Sequence, residues 1–80
     1  MRIRFYGKLA EQLGSEVDLT PPPGTDTVRK LRQVLAATYP DVSVDLNGRS
    51  LVCVGDQMVS DQQALSDDLT IEFLPPLSGG

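Results

Sequence analysis

The 80-residue sequence predicts an α+β domain, a mixed sheet of four to five strands with one main helix packed on one face. Three observations carry that expectation. Short segments near both ends alternate apolar and polar residues with the period of two of a half-buried strand. Residues 27–38 instead repeat apolar residues at spacings of three and four, as a helix with one buried stripe does. Clusters of proline and glycine separate these segments at the points where a strand or helix must stop. One helix cannot cover both faces of such a sheet, so it packs on one.

Residues 1–6 alternate, with Met1, Ile3 and Phe5 on one face and Arg2, Arg4 and Tyr6 on the other. Gly7 to Gly14 reads as a turn or one short helix. Leu9 and Leu13 stand four apart there, and Gly14 suits a left-handed C-cap. Glu16-Val17-Asp18-Leu19-Thr20 alternates again with Val17 and Leu19 inward, until Pro21-Pro22-Pro23-Gly24 ends it.

In the helix, Val28, Leu31, Val34 and Leu35 form the apolar stripe, and Arg29, Lys30, Arg32 and Gln33 are read as its solvated face. Thr25, Asp26 or Thr27 can cap its start. Tyr39-Pro40 ends it, because a residue before proline is pushed out of the α region. Asp41 to Arg49 shows no clear period, and Asn47-Gly48 reads as a turn.

Leu51-Val52-Cys53-Val54 is a wholly apolar strand, which makes Cys53 a buried small hydrophobe. Gly55-Asp56 fits a tight hairpin into Gln57-Met58-Val59. Asp61 to Asp68 is a polar loop anchored by Leu65. In the last strand Leu69, Ile71 and Phe73 alternate with Thr70, Glu72 and Leu74. Residues 1–74 are therefore expected to form the domain, and 75–80 a flexible tail with a diglycine end.

Composition narrows the function. A net charge of −4 argues against nucleic acid, whose phosphates need a basic surface. No apolar run approaches membrane-span length, so no membrane is expected as a partner. One cysteine excludes an internal disulfide and suits a reducing cytoplasm. With no histidine, neither a Ser-His nor a Cys-His nucleophile system can be assembled, and no metal site is expected. Nor does any phosphate-binding loop pattern occur.

The chemistry is expected at the end of the sequence, Phe73-Leu74-Pro75-Pro76-Leu77-Ser78-Gly79-Gly80. Two prolines remove two backbone donors and send the chain out extended. The last two residues have no Cβ and fit a channel too narrow for side chains. The reach from Pro75 to Gly80 is about 20 Å when extended.

This octapeptide resembles the tail of the small, sulfur-carrying subunit of molybdopterin synthase, a ubiquitin-like β-grasp family, and the element order agrees over the whole chain. The resemblance implies that the first and last strands lie side by side. It implies that the Gly80 carboxylate is adenylated with ATP by an E1-like activating enzyme and converted to a thiocarboxylate. That thiocarboxylate would supply sulfur for dithiolene formation on the large synthase subunit. Pro75, Pro76, Leu77, Ser78 and Gly79 would enter the partner's channel. Tyr6 and Leu74, which strand parity puts on the face away from the core, would contact the partner.

On this reading the chain is not catalytic alone and binds no cofactor itself; ATP belongs to the activating partner. Ser66-Asp67-Asp68 departs from the family by lacking a glycine between the acidic residues. Three alternatives stay open. One is a sulfur carrier for thiamine or another thiolation pathway, another is a ubiquitin-like protein modifier, and the last is a β-grasp interaction module with an incidental tail.

Overall fold

Ile3 and Phe5 are fully buried between exposed Arg2 and Arg4, and they begin a five-stranded sheet in a computed structural model that describes residues 1–76. The strands are β1 (Arg2–Phe5), β2 (Glu16–Asp18), β3 (Leu51–Val54), β4 (Gln57–Val59) and β5 (Thr70–Leu74), in spatial order β2-β1-β5-β3-β4. β1 and β5 pair in parallel, with Phe5 opposite Phe73, and the other pairs are antiparallel. The sheet is mixed and carries one main helix, the β-grasp arrangement expected. The side-by-side first and last strands that the resemblance implied are present.

Helix α1 (Lys8–Leu13) is the short helix after β1, and it buries Leu9. Gly14 closes it with its N–H on Ala10 O at 2.9 Å. Its φ of 90° is positive as expected, but its ψ of 168° is extended rather than left-handed helical, so the chain turns at once into β2.

Helix α2 (Val28–Thr38) is capped by Thr27, whose hydroxyl accepts from Lys30 N–H at 3.3 Å. Val28, Leu31 and Leu35 are fully buried and pack with Ile3, Phe5, Val52, Ile71 and Phe73. The Phe5 and Phe73 rings meet at 5.8 Å and 41°, a tilted pair that contributes about 0.5–1.5 kcal/mol beyond its buried area. Leu65 anchors its loop from the other side, with its N–H on Asp26 O.

Two side chains, Arg32 and Cys53, are placed otherwise than expected. Arg32 is buried at 7% exposure, not solvated, because it lies four residues after Val28 and four before Ala36 on the inward stripe. Its guanidinium is held by Asp61 Oδ1 at 2.9 Å, Leu46 O at 2.8 Å, Ser50 Oγ at 3.0 Å and Ser50 O at 2.8 Å. It also lies 5.7 Å from the centroid of the Phe73 ring, within cation–π range.

Asn47-Gly48 does lie in a turn, of helical form. It falls inside a π-helical turn, Asp45–Arg49, that follows a 3₁₀ turn at Pro40–Val42. Fully buried Leu46 anchors that turn, and Arg32 caps the Leu46 carbonyl.

Cys53 is only half-buried. Val52 takes the core position in β3, so parity turns Cys53 to the outer face beside Glu72 and Met58.

The Gly55-Asp56 hairpin is as expected. Both residues have positive φ, 58° and 65°, as a type I′ turn requires. No helix among the described residues is long and apolar enough to cross a membrane.

Candidate functional site

β5 is a central strand, hydrogen-bonded to β1 on one side and β3 on the other, so its end is held from both sides. Leu74 ends it, and Pro75 and Pro76 follow without amide donors, so the pairing stops there. Continuing the parallel register two residues past Phe5 and Phe73 brings Gly7 beside Pro75. Their approach is close. A Cβ built on Gly7 would stand 2.7 Å from Pro75 Cγ, closer than real side chains come. Gly7 also has φ 63° and ψ −136°, a conformation that residues with a Cβ rarely adopt. Glycine is thus required there twice, once by backbone shape and once by the proline seated on it.

A cavity of about 310 Å³ opens at this point. Tyr6, Leu74, Pro75 and Pro76, singled out from the sequence, all line it. Lys8, Leu9, Asp45, Arg49 and Ser50 complete the wall. Sequence reasoning did not pick out these five, nor Gly7. Gly7 was detectable once the first and last strands were paired in parallel. The Asp45–Ser50 wall gave no signal, because its segment has no legible period. Leu77, Ser78, Gly79 and Gly80 lie outside the described residues.

Tyr6 is 40% exposed and its N–H bonds Phe73 O at 3.1 Å, which continues the β1–β5 ladder past Phe5. Its hydroxyl donates to Glu72 Oε2 at 2.6 Å across the outer face. That hydrogen bond, followed by partial desolvation and the carboxylate charge, raises the phenol above its ordinary pKa of 10.0. Leu74 is half-buried on the same face, paired with Leu51.

The open face of the sheet divides in two. On the β2–β1 side Arg2 and Arg4 pair with Glu16 and Asp18 at 3.2–3.7 Å. On the β5–β3–β4 side Leu74, Leu51, Cys53 and Met58 form an apolar patch around the Glu72 carboxylate, and Met58 is 56% exposed. The apolar half adjoins the root of the tail.

Elsewhere, Lys30 holds the Asp26 carboxyl below its usual range, and the Ser66 hydroxyl does the same for Asp68. Neither carboxylate lines the cavity. Among the described residues no three His, Cys, Asp or Glu side chains gather as a metal site. What the arrangement offers chemically is a braced exit: a central strand end, a proline seated on a glycine, and an apolar face beside them.

Comparison with known proteins agrees with this geometry. A family model described as the ThiS family matches residues 3–80. The crystal structure of SAMP1 from Haloferax volcanii is similar, with a TM-score of 0.71 and 22% identity over 99% of this chain and 97% of that one. At that identity the likeness speaks for the fold. No curated protein matches.

Proposed function

We propose, on the premise that this chain belongs to the ThiS family of small ubiquitin-like sulfur carriers, that it is the sulfur-donating small subunit of molybdopterin synthase. Gly80 is the residue that carries the sulfur. An E1-like enzyme joins its α-carboxylate to the α-phosphorus of ATP and releases pyrophosphate. Hydrosulfide then attacks the acyl carbon and expels AMP, leaving a thiocarboxylate. The large synthase subunit takes that sulfur for the dithiolene. ATP and the pterin precursor bind to those partners and no cofactor binds here. The setting is the cytoplasm, where the lone thiol of Cys53 stays reduced.

The observation that carries this reading is the seat of Pro75 on Gly7 at the end of the central strand. A carrier must hold its body still while a short arm enters another protein's active centre. Bracing the arm at its root lowers the entropy lost when it is inserted. Tyr6 and Leu74 lie where a partner that accepts the arm would press against the body, and Leu77, Ser78 and Gly79 would thread its channel. The Phe73-Leu74-Pro75-Pro76 run favours the molybdopterin pathway over thiamine synthesis, whose carriers tend to lack it.

Deleting Gly80, or adding one residue after it, tests the carrier role. Either change moves the carboxylate by roughly 3.3–3.6 Å, and a displacement near 1 Å can cost about 10²-fold in rate. Adenylation should be lost while the melting temperature stays put. A Gly80-deleted chain adenylated as well as the parent would end the proposal. The pathway is tested separately, by supplying the thiocarboxylated chain to the large synthase subunit and to a thiazole-forming enzyme. Sulfur transfer to the second alone would move the protein to thiamine synthesis.

A further inference from the structure

The buried guanidinium of Arg32 lies between the Asp45–Ser50 segment and β5, the strand that ends at the tail root. On one side it takes Ser50 through the hydroxyl and the carbonyl, and Leu46 through the carbonyl. Ser50 lines the cavity with Asp45 and Arg49, Leu46 anchors the turn between them from the core, and the Ser50 hydroxyl is itself tied to Asp45 O at 2.7 Å. On the other side the guanidinium lies over the ring of Phe73, two residues before Pro75. Its remaining contact, Asp61 Oδ1, supplies the counter-charge. Three Arg32 nitrogens therefore bridge α2, the Asp45–Ser50 segment and the loop at Asp61, with the guanidinium itself over Phe73 of β5.

An apolar residue would fill this inward position on α2 just as well for burial alone. What a planar fork adds is direction, because four hydrogen bonds at fixed angles define where the 45–50 segment stands. We propose that Arg32 is a positioning residue for the carrier arm. By fixing the Asp45–Ser50 wall against Phe73, it sets the direction in which Pro75 and Pro76 leave the body. This rests on the carrier reading above, and it assigns the aim of the arm to a residue far from Gly80 in sequence.

The test compares Arg32→Lys, which keeps the charge but cannot make the fork, with Val28→Ala, a core truncation on the same helix. Two measurements are made on each full-length chain. The first is the nuclear Overhauser contact between Gly7 Hα and Pro75 Hγ, with the amide shifts of Gly7 and Ser50. The second is kcat and KM for adenylation by the activating enzyme.

Arg32→Lys is expected to weaken the Gly7–Pro75 contact and lower kcat at least tenfold with KM within about twofold, since a misaim near 1 Å can cost about 10²-fold. Val28→Ala should lose stability but change neither readout. If Arg32→Lys keeps the contact and matches Val28→Ala in kcat, Arg32 is only a fold residue and the inference falls. Should the lysine variant not fold, Ser50→Ala removes one Arg32 acceptor together with the Ser50–Asp45 bond, leaves the Asp61 pair intact, and is read by the same two criteria. If the parent chain is not adenylated at all, the carrier reading fails, and the Gly7–Pro75 contact still decides whether Arg32 aims the arm.

Discussion

Replacing Gly7 by alanine separates the arm's seat from the stability of the body. Two effects follow from the structure. The backbone at φ 63° and ψ −136° is strained for any residue with a Cβ, at about 1–3 kcal/mol. The new methyl would also stand 2.7 Å from Pro75 Cγ and must reach at least 3.4 Å for ordinary contact, a shift of about 0.7 Å. Gly14 supplies the control. It too has a positive φ, 90°, but a Cβ there meets nothing within 4 Å. Gly14→Ala should therefore show the backbone cost without moving the proline.

In thermal denaturation both variants should melt lower, by roughly 4–8 °C per kcal/mol for a domain of this size. In adenylation by the activating enzyme the two should part. Gly7→Ala should fall on the order of ten- to a hundredfold, because a 1 Å misplacement can cost about 10²-fold, while Gly14→Ala stays near the parent. Binding of the body to the enzyme should change little in either. Equal adenylation of the two variants would show that the Pro75 seat does not aim the arm. An unshifted melt in both would refute the strain argument.

Leu74→Glu puts a charge on the apolar half of the open face without touching the core, so it should fold cooperatively. It should bind the activating enzyme or large subunit at least tenfold more weakly, about 1.4 kcal/mol, as measured by titration calorimetry; unchanged affinity would remove this face from the docking surface. Tyr6 should ionise above its ordinary pKa of 10.0 because its hydroxyl is bonded to Glu72. A raised folded-state pKa means this bond's contribution is fully present below pH 10 and lost as pH rises through the shifted value. Ultraviolet titration in a Tyr39→Phe background follows Tyr6 alone, and Glu72→Gln should bring the transition down. A transition that ignores Glu72→Gln would break the assignment.

Strand parity, the α2 stripe and the hairpin were legible because each depends on residues close in the chain. Ile3 and Phe5 alternate with arginines, proline removes a donor wherever it stands, and Gly55-Asp56 turns by its own φ preferences. The extended arm expected from the tail's residue types concerns Leu77 to Gly80, which lie outside the described residues. Arg32 shows where this mode of reading fails. Its spacing from Val28 and Ala36 put it on the buried stripe, but a charge can be buried only when partners meet it, and Asp61, Leu46 and Ser50 come from 14 to 29 residues away. Cys53 failed differently. A wholly apolar strand carries no alternation, so its inward face was set by pairing with β5. Gly7 reads in the sequence as a turn residue and nothing more. Only the parallel pairing of β1 with β5, across a separation no local pattern spans, brings Pro75 against it and makes the missing side chain a condition for the arm's seat.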